Sequence, residues 1–135
     1  MNKAAFYLDK YRFDKVHIDF SKKSSNSIDF SFDPVGIFNN NKSDFELTIK
    51  FSSWSNQSKE NFIEIECVSN FKFEEKTDFD SIPTYFYRNS VAIIFPYIRA
   101  FISTVTLQAN IPSLVLPTLN LSALEKPLKE NTTQI

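Results

Sequence analysis

Alternating apolar and polar residues predict four strands in the first half of the chain. The clearest stretch is 44–52, where the apolar positions are Phe45, Leu47, Ile49 and Phe51. The same alternation occurs over 15–21 and 27–33, and again over 62–73. Successive side chains of a strand point to opposite faces, so each stretch buries one side and exposes the other. Four such strands in succession predict an antiparallel sheet with one apolar face.

Turn-forming residues separate these strands. Residues 22–26 form a short polar connection, and Pro34 either ends the second strand or confines it to a sheet edge. Gly36, the only glycine, and the asparagines at 39–41 indicate the next connection. Residues 1–13 mix apolar and charged side chains, which is compatible with a strand start or with one helical turn.

Helical periodicity follows the strands. Apolar residues recur every three or four positions over 87–105, which predicts a helix over about 83–108. Asp80 or Ser81 is suited to cap its N-terminus, and Pro96 predicts a bend. This helix is the available cover for the apolar face of the sheet. The fold class is therefore α+β, as one domain over residues 1–124.

A proline-punctuated apolar tail follows Asn110. It cannot be one continuous helix, and it is too apolar to remain in water, so it must pack on the domain. Pro127 disfavours a second helix unless it lies in that helix's first turn. Residues 125–135 are expected to be poorly ordered.

Composition excludes several classes of function. The net charge is −1 over 135 residues, which gives no field for nucleic acid. No stretch is apolar for about 18 residues, so no membrane span is expected. The single cysteine, Cys67, falls on the apolar face of a strand, and His17, the only histidine, falls on a polar face. The chain offers no metal-ligand spacing and no glycine-rich phosphate loop. We expect no enzyme activity, no cofactor and no metal, and the lack of a disulfide suits the cytoplasm.

An ordered string in the second half of the chain resembles the SecB family of protein-export chaperones. The matching residues, which fall within 92–124, are Phe95-Pro96-Tyr97, Arg99, Ile102, Ser103, Ile111-Pro112, Leu114, Leu116, Asn120, Ala123 and Leu124. Upstream of that string the similarity is to the order of strands. The resemblance implies a four-stranded antiparallel sheet, a long helix, a Pro-rich connector and a second helix, here reduced.

The family's activity gives the functional expectation. SecB is an ATP-independent holdase that binds unfolded or precursor polypeptides and keeps them competent for export. The residues expected to line a client-binding groove are Phe71, Phe73, Tyr97, Ile111, Leu114, Leu116, Leu119 and Leu121.

Two partner surfaces are also expected. The helix is apolar on more than one side, and SecB uses its long helices to join dimers into a tetramer, so a homo-oligomer is expected. The candidate interface residues are Ile94, Ile98, Phe101, Ile102 and Val105. SecB delivers clients to the SecA translocase motor through an acidic face of the sheet. The possible counterparts here are Glu46, Glu64 and Glu66.

Two departures from the family leave alternatives open. The crossover between the first two strands is limited to 22–26, and Pro127 follows closely where the last helix begins. Both elements frame the family's groove. A chaperone dedicated to one client, such as an antitoxin, is therefore an alternative to a general export chaperone. A monomer with the tail folded over the helix, and a purely structural or assembly subunit, are further alternatives.

Overall fold

The computed structural model describes residues 5–112, 114, 116 and 120–135. The elements in chain order are β1 (Phe6–Ile18), β2 (Ile28–Asn39), β3 (Asp44–Ser55), β4 (Asn61–Phe73), α1 (Thr84–Gln108), α2 (Glu125–Glu130) and β5 (Thr132–Gln134). Short 3-10 turns lie at Phe20–Lys22, Phe79–Ser81 and Leu121–Leu124.

The strands form one mixed sheet in the order β1-β4-β3-β2-β5. The β1–β4, β3–β4 and β2–β3 pairs are antiparallel, and β5 lies parallel to β2. The predicted four-stranded antiparallel sheet is therefore wrong in one respect, since a fifth, parallel strand is present. A three-residue strand of Thr-Thr-Gln has no apolar alternation, so the hydrophobic pattern does not reveal it.

The last strand also corrects the prediction for residues 125–135. This segment was expected to be poorly ordered, but it forms α2 and β5. Pro127 is the third residue of α2 and so lies in its first turn, where its missing N–H costs no helical hydrogen bond. Leu128 is fully buried and anchors the helix to the core. The second helix is short, as predicted, with six residues.

The core lies between the sheet and α1. The core-facing positions of β3 and β4 are apolar except at the buried serines Ser53, Ser55 and Ser69. The side of α1 that faces them is also buried. The largest fully buried side chains include Phe38, Phe45, Phe51, Phe62, Phe71, Phe86, Leu47, Ile49, Ile65, Ile94 and Ile98. Ring packing among phenylalanines is extensive, for example Phe45 against Phe86 with centroids 4.7 Å apart. Much of the chain's phenylalanine content therefore fills this core.

The ends of several elements differ from the predictions. β1 begins at Phe6, so residues 6–13 form a strand and not a helical turn. β2 continues through Pro34 and Gly36 to Asn39, so Gly36 lies inside a strand. The N-cap of α1 is Pro83, without a side-chain cap; the predicted caps, Asp80 and Ser81, lie in the preceding 3-10 turn.

α1 is a helix of 25 residues that contains Pro96 and is apolar along much of its length. Contrary to the prediction from run length, this helix is long and apolar enough to cross a membrane by those two criteria alone. A buried helix of a globular core satisfies the same criteria. Here Val91, Ile94, Ile98 and Ile102 are at most 1% exposed in the monomer, which places α1 as the second layer of the domain.

Candidate functional site

An apolar groove runs along the first half of β2. Ile28, Phe30 and Phe32 are half-buried and form its floor. The pairing of β2 with β3 has no register shift over its whole length, so these three side chains stay on the core face of the sheet. We call this feature the β2 groove.

Two adjoining cavities make up the β2 groove. The first, of about 180 Å³, is lined by Phe20, Lys23, Asn26, Ile28, Phe62, Thr106, Ile111, Pro112 and Leu114. The second, of about 320 Å³, is lined by Phe30, Phe32, Asn120, Ala123 and Leu124. Successive core-facing residues of β2 line one cavity and then the other. The groove can therefore accept side chains that alternate along an extended segment.

The crossover between β1 and β2 forms one wall of the first cavity. The Asp19 carboxylate accepts a hydrogen bond from the backbone N–H of Ser21 at 3.1 Å, which caps the short turn at Phe20–Lys22. Hydrogen bonds from the Ser21 side chain and backbone lower the pKa of Asp19. The backbone N–H of Asp19 donates to the carbonyl of Phe62 at 2.9 Å. The crossover occupies residues 19–27, which is longer than the predicted 22–26, and it is fixed to β4.

The end of α1 forms the opposite wall. Asn110 has φ 58°, and the N–H groups of Asn110 and Ile111 each donate at 3.1 Å to the carbonyls of Leu107 and Thr106. This is the Schellman arrangement, which closes a helix C-terminus and turns the chain. The Thr106 hydroxyl then accepts the N–H of Leu114 at 3.1 Å. These bonds hold the start of the tail against the cavity.

The backbone of β2 beside the groove has a second edge, which faces away from β3. Gly36 and Asn40 donate their N–H groups to the carbonyls of Asn131 and Ile135, which flank β5, and the carbonyl of Phe38 accepts the N–H of Ile135. Because β2 has no register shift, its even-numbered residues all direct N–H and C=O groups to this edge. None of the residues that the structure describes pairs with this edge at Ile28, Phe30 and Phe32. Apolar side chains and free backbone groups therefore occur together.

The predicted groove residues fall into three groups. Ile111 and Leu114 line the first cavity, and Leu121 is half-buried beside the core. Phe71, Phe73 and Leu116 are instead buried in the core of the monomer, at 7% exposure or less. Tyr97 is 42% exposed, but on the outer side of α1, against Tyr11 at 4.5 Å. Leu119 lies outside the described residues.

The groove residues that the sequence reasoning missed are on β2 and on the last 3-10 turn. Ile28, Phe30 and Phe32 were recognised as one apolar strand face, but a strand pattern does not show that the face is only partly covered. Ala123 and Leu124 were matched to the family without a role. The signal that identifies them is the sheet order, which places β2 next to the short β5.

The predicted oligomer-interface residues are mostly internal. Ile94, Ile98 and Ile102 are buried against the sheet, because one wide face of α1 covers it. Phe101 stacks on Phe13 of β1, with centroids 4.2 Å apart, and Val105 is half-buried.

The exposed side of α1 is different and lacks carboxylates. Its outward residues between Asn89 and Gln108 are Ala92, Ile93, Pro96, Tyr97, Ala100, Thr104 and Leu107. Leu107 is 67% exposed. We call this surface the outer α1 face.

The predicted docking carboxylates lie on the outer face of the sheet among cations and amides. Glu66 is 3.8 Å from the Lys50 ammonium, and Glu64 accepts a hydrogen bond from Asn61 at 3.1 Å. Glu46 adds a minor attraction to Arg12, whose pKa is raised chiefly by its hydrogen bond to Asp14. This face is mixed in charge and not acidic.

The two residues with potential chemistry occupy structural positions. His17 is exposed on β1. Cys67 is 1% exposed, and desolvation raises its pKa to about 11. Among the described residues, no group of three His, Cys, Asp or Glu side chains is arranged to hold a metal ion.

Comparison with known structures identifies the architecture. The chain is similar to the SecB-like chaperone Rv1957 of Mycobacterium tuberculosis, solved in complex with a ChAD peptide from the Rv1956 HigA1 antitoxin. The TM-score is 0.66 at 17% sequence identity, covering 85% of this chain and 91% of that chain. A protein of unknown function from Streptococcus agalactiae gives a TM-score of 0.50 at 9% identity, over 87% of this chain and 100% of that chain.

Sequence comparison adds one local match. No family model matches the chain. The uncharacterized protein MJ0357 of Methanocaldococcus jannaschii is 52% identical over 48 residues, which are 33% of this chain and 31% of that protein. The chain thus spans about a third of the length of this curated relative. At the level of architecture, the SecB resemblance in the sequence and the shape of the structure agree: the chain has the SecB-like fold.

Proposed function

We propose that this protein is a chaperone that binds an extended apolar segment of a non-native polypeptide in the β2 groove. The observation that carries the proposal is the edge of β2 beside the half-buried Ile28, Phe30 and Phe32, with which no described residue pairs. A non-native chain presents both apolar side chains and unpaired backbone groups. A folded protein has already satisfied both, so the groove discriminates between the two states.

Binding would take place by strand addition. The client backbone pairs with the outward N–H and C=O groups of Ile28, Phe30 and Phe32, while alternate client side chains enter the two cavities. The backbone contacts give affinity without a fixed sequence, and the cavities favour bulky apolar side chains at every second position. None of these steps requires nucleotide.

The range of clients is proposed to be narrow. The groove floor spans only three core-facing residues of β2 before Pro34, and its walls are short. The similar Mycobacterium tuberculosis chaperone was solved with a peptide from an antitoxin, which fits a chaperone dedicated to one client. General export through the SecA motor is the second candidate. It receives less support because Glu46, Glu64 and Glu66 lie on a face of mixed charge.

A homo-oligomer is proposed through the outer α1 face. This surface carries Ile93, Tyr97 and Leu107 exposed to solvent, and Tyr97 continues it onto β1 through its contact with Tyr11. Burying such a patch against a second copy removes apolar area from water. A cytoplasmic location remains our proposal, consistent with a single buried thiol.

Binding to unfolded and folded forms of the same polypeptide tests the function directly. The purified protein should bind a reduced, unfolded polypeptide with a Kd of about 1 μM or tighter, without nucleotide, and should not bind the folded form. Absence of binding to unrelated unfolded chains and to peptides from antitoxins would leave the structural or assembly role in its place.

Two substitutions, one in the groove and one on the opposite face of β2, localise the binding site. Ala123→Phe should fill the second cavity, because Ala123 lines it and is exposed. Ile37→Phe is the matched control, since Ile37 is on β2 but is 36% exposed on the opposite face. The groove proposal predicts weaker binding for Ala123→Phe alone. Equal binding by both variants, with unfolding curves confirming that both are folded, would place the site elsewhere.

A further inference from the structure

The edge of β2 that forms the β2 groove continues into the edge that β5 occupies. The outward residues of β2 are Ile28, Phe30, Phe32, Pro34, Gly36, Phe38 and Asn40. The first three are unpaired within the described chain, and the last three bond to β5. Pro34 separates the two halves and contributes only a carbonyl there, since it has no N–H. A single peptide-binding edge is thus half filled by a segment of the chain itself.

β5 is held mainly by backbone contacts. Gly36 donates to the carbonyl of Asn131 at 3.2 Å, Asn40 donates to Ile135 at 3.0 Å, and Ile135 donates to Phe38 at 2.9 Å. The Asn40 side chain adds a hydrogen bond to the Gln134 side chain at 2.9 Å.

Side-chain burial adds little to the attachment of β5. Thr132 is the buried residue of β5, and its hydroxyl donates to the carbonyl of Leu128 at 2.6 Å. Thr133, Gln134 and the following Ile135 are exposed, and Ile135 is 70% exposed. The buried apolar anchor, Leu128, belongs to α2. Breaking the contacts of β5 therefore exposes little apolar surface, in contrast to most of the sheet.

We infer that β5 is a displaceable resident strand that competes with long clients for the edge of β2. This inference rests on the proposed function. A short segment binds at Ile28–Phe32 and leaves β5 in place. A segment that extends past Pro34 must displace β5 to reach Gly36, Phe38 and Asn40. The docked strand therefore limits the length of client that binds tightly.

Displacement of β5 would also affect the segment that precedes α1. Asn40 contacts β5 through its backbone N–H and its side chain, while its side-chain oxygen accepts the N–H of Phe79 at 3.0 Å. Its carbonyl accepts a hydrogen bond from the Lys76 ammonium. The same residue thus joins β5 to the segment that leads into α1.

Two variants change the docking of β5 in opposite directions. Asn131 and Ile135 face β2, so Thr133 faces it as well, and Thr133→Pro removes a β2-facing N–H. Gln134→Pro is the comparison variant, because the N–H of Gln134 faces away and the change removes only the side-chain hydrogen bond to Asn40. The second variant locks β5 onto β2 with a disulfide. Ile37 and Thr133 are Cα partners, and the spacing of paired strands is within the Cα–Cα range of a disulfide. Oxidised Ile37→Cys/Thr133→Cys would hold β5 in place, and Cys67 is too buried to interfere.

The experiment measures the binding of two labelled peptides that carry leucine or valine at alternate positions, separated by serine and threonine. One has about six residues and covers Ile28–Phe32, and the other has about twelve and also reaches β5. Thr133→Pro should bind the long peptide about tenfold more tightly than the wild type, because more of the protein is binding-competent. Thr133→Pro should bind the short peptide as tightly as the wild type does. Gln134→Pro should raise the affinity for the long peptide by less than Thr133→Pro does, because it keeps every β2-facing N–H of β5.

Locking and amide exchange complete the test. The oxidised double-cysteine variant should bind the long peptide no better than the short one, and reduction should restore the difference. In the wild type, the long peptide should accelerate hydrogen exchange at Ile135, while the short peptide should not. If both peptides bind but locking and Thr133→Pro change nothing, the inference is overturned and the groove proposal stands. If neither peptide binds any variant, both fail together.

Discussion

Gly36 lies against the ring of Phe45, and a Cβ built on Gly36 would be 2.3 Å from Cζ of Phe45. The same Cβ would be 2.6 Å from the hydroxyl oxygen of Thr132 in β5. Phe45 is fully buried, so its ring has no room to withdraw. The only glycine in the chain is therefore required by packing at the junction of β2, β3 and β5.

Gly36→Ala should destabilise the protein by about 1–3 kcal/mol, because overpacking forces a fixed ring or the adjacent strand to move. The free energy of unfolding from urea titration measures this effect. Asp33→Ala is the control, since Asp33 is exposed on the same strand. The double variant Gly36→Ala/Phe45→Leu should recover part of the loss relative to Phe45→Leu alone. Additive losses would show that the ring of Phe45 is not the obstacle.

The example of Gly36 also shows which parts of the fold the sequence could predict. The alternating pattern was sufficient to predict β3 and β4, and the helical period was sufficient to predict α1, because each element has one strongly apolar face. Gly36 was interpreted as part of a connection, since a glycine that admits a neighbouring ring has the same sequence signal as a turn. Pro34 remains inside β2 because its missing N–H points to the edge away from β3. Pairing information is needed to reach that conclusion.

The candidate site was less predictable than the fold. Ile111 and Leu114 line a cavity, in keeping with the expectation that a proline-punctuated apolar tail lies on the domain; their role in client binding stays a prediction. Phe71 and Phe73 were assigned to the groove, but β1 and α1 cover them. The partial exposure of Phe30 depends on a short neighbouring strand, β5, whose polar sequence carries no periodic signal.

Thr106→Val should loosen the wall of the first cavity. The Thr106 hydroxyl is buried, donates to a carbonyl of Ile102 or Ser103 at 3.0 Å, and accepts the N–H of Leu114 at 3.1 Å. Valine has a similar shape but leaves the Leu114 N–H without its partner, which should cost about 1–2 kcal/mol. Amide exchange at Leu114 should accelerate.

Thr104→Val provides the matched control for Thr106→Val, since Thr104 is exposed on the same helix. Its unfolding free energy should change by less than about 0.5 kcal/mol, and exchange at Leu114 should be unchanged. An unaltered exchange rate at Leu114 in Thr106→Val would mean that the tail is held by other contacts.

The buried thiol of Cys67 predicts a loss of stability at alkaline pH. Burial raises its pKa from 9.0 to about 11, so the folded state retains a proton that the unfolded state releases. The stabilisation is complete below pH 9 and declines between about pH 9 and 11. Burial raises the pKa of Tyr87 too, which adds to the same trend. Cys67→Ala should reduce the decline in unfolding free energy over this window.

Thiol reactivity checks the same residue independently. At pH 8 the native protein should react with a thiol reagent only as fast as it unfolds, because Cys67 is buried and protonated. The urea-unfolded chain should react at once. Rapid labelling of the folded protein, or an identical pH profile for Cys67→Ala, would show that the thiol is accessible.

The outer α1 face yields a prediction about assembly. Ala100 is exposed near its centre, between Pro96 and Thr104 on successive turns. If two copies pack there, Ala100→Glu buries two like charges close together and should weaken association by at least about tenfold. Sedimentation over a concentration series measures the change.

Gln57→Glu, in the exposed β3–β4 turn, adds the same charge elsewhere and should leave association intact. A wild-type protein that stays monomeric at all concentrations would instead favour the monomer with an exposed apolar helix, and equal weakening by both variants would point to net charge as the cause.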